Sequence, residues 1–131
     1  MLISLDLQSD VPIYLQLRNK IIEGIASKKL RPGDSLPSVR NLAKDLGVNM
    51  HTINKSYQLL RADGFIQIHR QKGVVVNPDG FPGVTTDFLE KMEETIRPLI
   101  AEAICRGMSQ EDLIVRCQKT FRNIKEGGAI E

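Results

Sequence analysis

With 131 residues, 41% of them hydrophobic and 26% charged, the chain can bury the core of one ordinary domain, or of a small domain carrying an appended helical element, but not of two large ones. Its net charge of +2 is unevenly spread: residues 1–79 hold eleven Lys/Arg against seven Asp/Glu, the remainder seven against nine, which favours a polyanion-binding front half and a back half with another duty. Met1 opens without the basic segment, long apolar core and cleavage site of a signal peptide. No apolar stretch reaches membrane-spanning length, so a soluble, cytoplasmic chain with no membrane partner is expected.

In chain order, Ile3, Leu5 and Leu7 alternate with polar residues, which predicts a short strand over Met1–Leu7 ending at the turn-forming Gln8-Ser9-Asp10. Pro12 suits the first turn of a helix, and Ile13, Leu17, Ile21 and Ile25 recur every four residues, with Ile22 widening the stripe. That helix ends near Lys28, because Arg31-Pro32-Gly33-Asp34 is a turn that helix cannot cross. A second helix is announced by Leu36-Pro37-Ser38, with Val39, Leu42, Ala43 and Leu46 on one face and Gly47 as its left-handed cap. Asn49 then caps a third helix, whose Ile53, Tyr57 and Leu60 share a face and which Asp63-Gly64 ends. Two short helices joined by a tight glycine turn outline a helix-turn-helix, in which the second helix enters the major groove of DNA.

Phe65–Ile68 and Val74–Val76 have strand composition around a basic segment, His69-Arg70-Gln71-Lys72-Gly73. A hairpin in that position makes a wing, whose tip can reach phosphates or the minor groove. Asn77–Gly83, with Pro78, Gly80 and Pro82, is a linker by composition, dividing the chain into residues 1–79 and 80–131. Beyond it, Leu89, Met92, Ile96, Leu99 and Ala103 step by threes and fours, the seam of a helix packed lengthwise on another, with Phe88, Ile100 and Ile104 broadening it. Pro98 should kink or divide this helix. Gly107 closes it, Ser109 with Asp112 resembles a capping box, and Leu113, Ile114, Cys117, Phe121 and Ile124 line a last helix. Cys105 and Cys117 lack CxxC spacing and nearby histidines, so they are read as small buried hydrophobes rather than metal ligands or a disulfide. The fold class expected is mainly α with a small β-hairpin: a winged helix-turn-helix domain followed by a C-terminal helical hairpin.

Pro12-Ile13-Tyr14 through Leu30, the string Pro32-Gly33-Asp34-Ser35-Leu36-Pro37-Ser38, then Arg40, Leu42-Ala43, Leu46-Gly47-Val48, Thr52, Leu60 and Asp63-Gly64 resemble the GntR family of bacterial repressors over roughly residues 10–77. The short two-helix tail resembles the YtrA-like subfamily. The resemblance implies a transcription regulator that binds double-stranded operator DNA as a homodimer, with a tail that dimerises instead of housing a large effector domain. It departs from the family where DNA would be touched. Asn49-Met50 replaces a common Ser-Arg, Gln71 replaces a wing glycine, and Val74-Val75 replaces Thr-Phe.

The DNA-binding candidates are Ser38 and Arg40 at the second helix, Asn49, His51, Thr52, Asn54 and Lys55 on the recognition helix, and His69, Arg70, Lys72 and Gly73 in the wing. Arginine offers a planar donor fork to guanine or phosphate, asparagine pairs with adenine, and lysine meets phosphate. The dimerisation candidates are Leu89, Met92, Ile96, Leu99, Ile100, Leu113, Cys117 and Phe121. No nucleophile-base pair, phosphate loop or carboxylate cluster suggests an enzyme, and neither cofactor nor metal is expected. Two readings stay open beside these: a winged-helix module for protein contact with incidental DNA affinity, and a tail that also takes an unidentified small-molecule effector.

Overall fold

A computed structural model describes residues 3–127 as five helices and a small antiparallel sheet, in the order α1 (Ile13–Ala26), β1 (Ser35–Leu36), α2 (Val39–Leu46), α3 (Met50–Ala62), β2 (Ile66–His69), β3 (Gly73–Val76), α4 (Thr86–Cys105) and α5 (Gln110–Lys125). The chain divides into two compact units, Met1–Pro82 and Gly83–Glu131.

In the first unit, α3 is the central element: it packs against α1, α2 and β2. Leu17 and Ile21 of α1, Leu42 and Ala43 of α2, and Ile53, Tyr57 and Leu60 of α3 meet Leu36, Ile66, Val74 and Val76 of the strands in one buried cluster. Fully burying such side chains contributes roughly 1.5–3 kcal/mol each. The helix starts follow from capping. Ser38 Oγ accepts the Asn41 N–H at 3.1 Å, and Asn49 Oδ1 accepts the His51 N–H at 2.8 Å. Gly47, at φ +67°, closes α2 in the left-handed conformation that a side chain would resist.

Three sequence expectations change here. Of the strand expected over Met1–Leu7, Met1 and Leu2 lie outside the described residues, and Ile3–Leu7 pair with no strand among the described residues. The alternation has a packing cause, since Ile3 and Leu5 lie against the core cluster. Leu36 does more than announce a helix. With Ser35 it forms β1, which pairs antiparallel with β3 in the register Ser35↔Val75 and Leu36↔Val74, so the sheet has three strands in the order β1-β3-β2. The segment after the wing is folded onto the first unit. The Asn77 N–H donates to the Phe65 carbonyl at 3.0 Å, Phe81 stacks on Phe65 at 5.8 Å, and Pro82 lies over Gly64.

In the second unit, α4 runs unbroken through Pro98, which neither divides nor ends it. The ring's fixed φ is helical, and the one carbonyl it frees, that of Glu94, belongs to an exposed residue that water can serve. Ser109 Oγ caps α5 by accepting the Asp112 N–H at 3.1 Å. No residue of α4 or α5 is buried. Ile100, Ala103, Leu113 and Ile124 are partly covered, while Leu99, Ile104 and Phe121 are about two-thirds exposed. Cys105 and Cys117 are likewise exposed, which corrects their reading as buried hydrophobes. A single copy of the tail has no interior in which to place them.

Candidate nucleic-acid interface

The core packing that immobilises α3 also decides which residues it offers outward. Ile53, Ser56, Tyr57 and Leu60 are buried, so the intervening His51, Asn54 and Lys55 are exposed and Thr52 is partly so. Arg40 is exposed in the first turn of α2. Tyr57 ties the two helices of the motif together: its hydroxyl donates to the Pro37 carbonyl at 2.7 Å, just ahead of the Ser38 cap. Burial raises the Tyr57 phenol far above the ordinary tyrosine range, so the hydroxyl stays protonated and remains a donor.

The caps limit what two of the candidates can do. Ser38 and Asn49 already use an oxygen lone pair on the backbone, leaving the hydroxyl hydrogen and the amide NH2 as their outward groups. Lys55 is held by a partner that sequence reasoning did not single out. Its Nζ lies 3.9 Å from the centroid of the Tyr14 ring in α1, a cation-π contact that restrains a long side chain.

The wing is β2 and β3 in the register Ile66↔Val76, Gln67↔Val75, Ile68↔Val74 and His69↔Gly73. Its loop, Arg70-Gln71-Lys72, is exposed and closes on Gly73 at φ +74°. A three-residue hairpin needs one left-handed residue there, so the Gly73 backbone is structural whatever else it touches. His69 is exposed, and its Nε2 lies 2.7 Å from Gln67 Oε1. Gln67 and Asn77, the polar residues behind the tip, were not among the sequence candidates. The available signal was the period of two, which puts Gln67 and His69 on one face of β2.

Among the described residues, no group of three or more His, Cys, Asp or Glu could hold a metal ion, and no helix is long and apolar enough to cross a membrane. A buried three-helix core presenting one helix outward, flanked by a hairpin with a basic tip, defines a winged helix-turn-helix protein of the transcription-regulator class. The profile of the bacterial regulatory proteins of the gntR family matches residues 13–76. The transcriptional repressor YtrA of Bacillus subtilis is 29% identical over 126 residues, covering 96% of this chain and 97% of that protein. A solved structure of YtrA from Sulfolobus acidocaldarius, a GntR-family transcription factor, is 40% identical, covers 78% of this chain and 96% of that one, and superposes with a TM-score of 0.58. The structure of a transcriptional antiterminator from Listeria monocytogenes has the same fold over the whole chain, with a TM-score of 0.88 at 24% identity, covering 98% of that chain. The chain belongs to the GntR family, and to its YtrA-like branch.

Proposed function

We propose that this regulator is a homodimeric repressor that reads a palindromic operator. In this reading α3 of each subunit enters a major groove, the wing follows the adjoining backbone, and residues 80–131 hold the dimer together. The carrying observation is the outward face of α3, where His51, Asn54 and Lys55 are exposed on a helix whose opposite side is locked into the core. Arg40 and the Arg70–Lys72 tip add donors and positive charge suited to guanine and phosphate. Dimer symmetry places the half-sites about one helical turn, on the order of 34 Å, apart. Occupancy of an overlapping promoter excludes polymerase, in the cytoplasm and without reaction or cofactor.

The tail supports the dimeric part of the reading because its apolar residues have nowhere to go within one copy. Phe88, Leu89, Met92, Ile96 and Leu99 on α4, with Ile114 and Phe121 on α5, are all exposed large hydrophobics. Four helices around a common core are the smallest arrangement that encloses such stripes. Footprinting of bound sites across the genome, with affinity measured against salt, tests the function. Palindromic sites at promoters and a steep loss of affinity with salt are expected. Salt-insensitive or sequence-indifferent binding would leave the domain as a protein-contact module.

A further inference from the structure

Four polar groups form a continuous chain from the wing tip to the end of the recognition helix, and the two backbone groups at its inner end fix every donor and acceptor along it. The Gly64 carbonyl can only accept, so the Asn77 amide nitrogen lies against it, at 2.9 Å. Asn77 Oδ1 therefore faces the other way, accepting the Asp79 N–H at 3.0 Å and a Gln67 amide hydrogen at 3.2 Å. Gln67 must then turn its Oε1 toward His69, whose Nε2 lies 2.7 Å away. An amide oxygen can only accept, so Nε2 carries the hydrogen. In the neutral ring this leaves Nδ1 with a lone pair and no hydrogen, and Nδ1 has no partner among the described residues.

We infer that Gln67, itself oriented by Asn77, is a positioning residue that holds His69 in the Nε2–H tautomer and so makes wing binding proton-linked. This rests on the reading that the wing meets DNA. Phosphate oxygens are acceptors only. A neutral His69 held this way offers them a second lone pair, whereas the imidazolium offers Nδ1–H and a charge. Forming the contact thus takes one proton from solvent onto Nδ1. The charged groups around the ring are few. The tip supplies Arg70 and Lys72, the cross-strand partner on β3 is Gly73, α3 meets β2 through core residues such as Leu60 and Ile66, and Asp79 lies behind Asn77. No ion pair engages His69 among the described residues.

The test uses the full-length protein and a duplex recovered by footprinting, with affinity measured at constant salt from about pH 6 to 8, the range in which histidine titrates. Wild-type affinity should fall about tenfold across that range, the loss expected for one charge-assisted hydrogen bond. His69→Gln should remove most of the fall, and His51→Gln, measured in parallel, separates any share that comes from the recognition helix. Gln67→Leu frees the neutral ring to present N–H outward, so the pH dependence should flatten. Gln67→Glu keeps an acceptor against Nε2 and adds negative charge, so the fall should persist with its midpoint moved up. Nitrogen chemical shifts of the His69 ring in the free protein should report the Nε2–H tautomer. An Nδ1–H tautomer, an undiminished fall in His69→Gln, or full pH dependence in Gln67→Leu of wild-type thermal stability would overturn the proposal. If Arg70→Ala/Lys72→Ala instead binds with wild-type affinity and salt dependence, the wing reading fails first and the proposal with it.

Discussion

Arg40 and Asn54 stand on the exposed side of a helix pair whose inner side is packed into the core, so binding and stability are separable at these residues. Arg40→Ala and Asn54→Ala should each weaken operator binding by roughly 1–3 kcal/mol if they make good base contacts, with unchanged thermal midpoints. Quantitative footprinting beside calorimetry checks both halves. Ser56 is the opposite case: its hydroxyl is completely buried in the core and has no hydrogen-bond partner among the described residues. A buried, unsatisfied polar group costs about 1–3 kcal/mol. Ser56→Ala should therefore stabilise the protein or leave it unchanged, and a lower unfolding midpoint would show that the hydroxyl has a partner in solution. The candidate residues on α2, α3 and the wing were legible because each lies at a position set by an apolar period or a cap. Tyr14, Gln67 and Asn77 were not, because their roles come from partners in other elements or across a turn, and no local pattern encodes those meetings.

Among the elements, the helices were legible and the sheet only in part. An apolar stripe at period 3.6 with a capping residue ahead of it is a local signal, and Ser38, Asn49 and Ser109 all cap as their positions suggest. β1 is two residues long and owes its existence to pairing with Val74 and Val75, some forty residues away. Nothing within Ser35-Leu36 announces that. The turn between α2 and α3 depends on Gly47 adopting φ +67° in open space: among the described residues, no atom beyond its chain neighbours lies within 4 Å of the point where a Cβ would stand. Sterics therefore do not forbid Gly47→Ala, and the backbone conformation alone should cost roughly 1–2 kcal/mol. Urea titration should show that loss with an unchanged m-value. Gly47→Asn should recover part of it, since asparagine tolerates the left-handed region.

For the whole molecule, the exposed stripe of α4 and α5 is the feature on which the proposed dimer depends. If two copies enclose it, Met92→Glu/Leu99→Glu places charges in the shared core. That variant should sediment as a folded monomer at micromolar concentration and bind a single half-site normally, while losing most of its affinity for the full palindrome. A dimer surviving the two charges would move the interface elsewhere. In the proposed dimer the outward-facing Cys105 and Cys117 would also gain cover, as residue types common in cores. The stub folded back onto the first unit has a further consequence for the operator. With Phe81 stacked on Phe65 and Pro82 over Gly64, and with Thr85 already capping α4, only Gly83 and Val84 remain as tether. From Pro82 to Thr85 the backbone can span at most about 11 Å. Five base pairs inserted between half-sites displace one by about 17 Å and carry it to the opposite side of the duplex. So short a leash cannot follow both movements, and the operator should tolerate changes in the identity of its central bases far better than changes in their number.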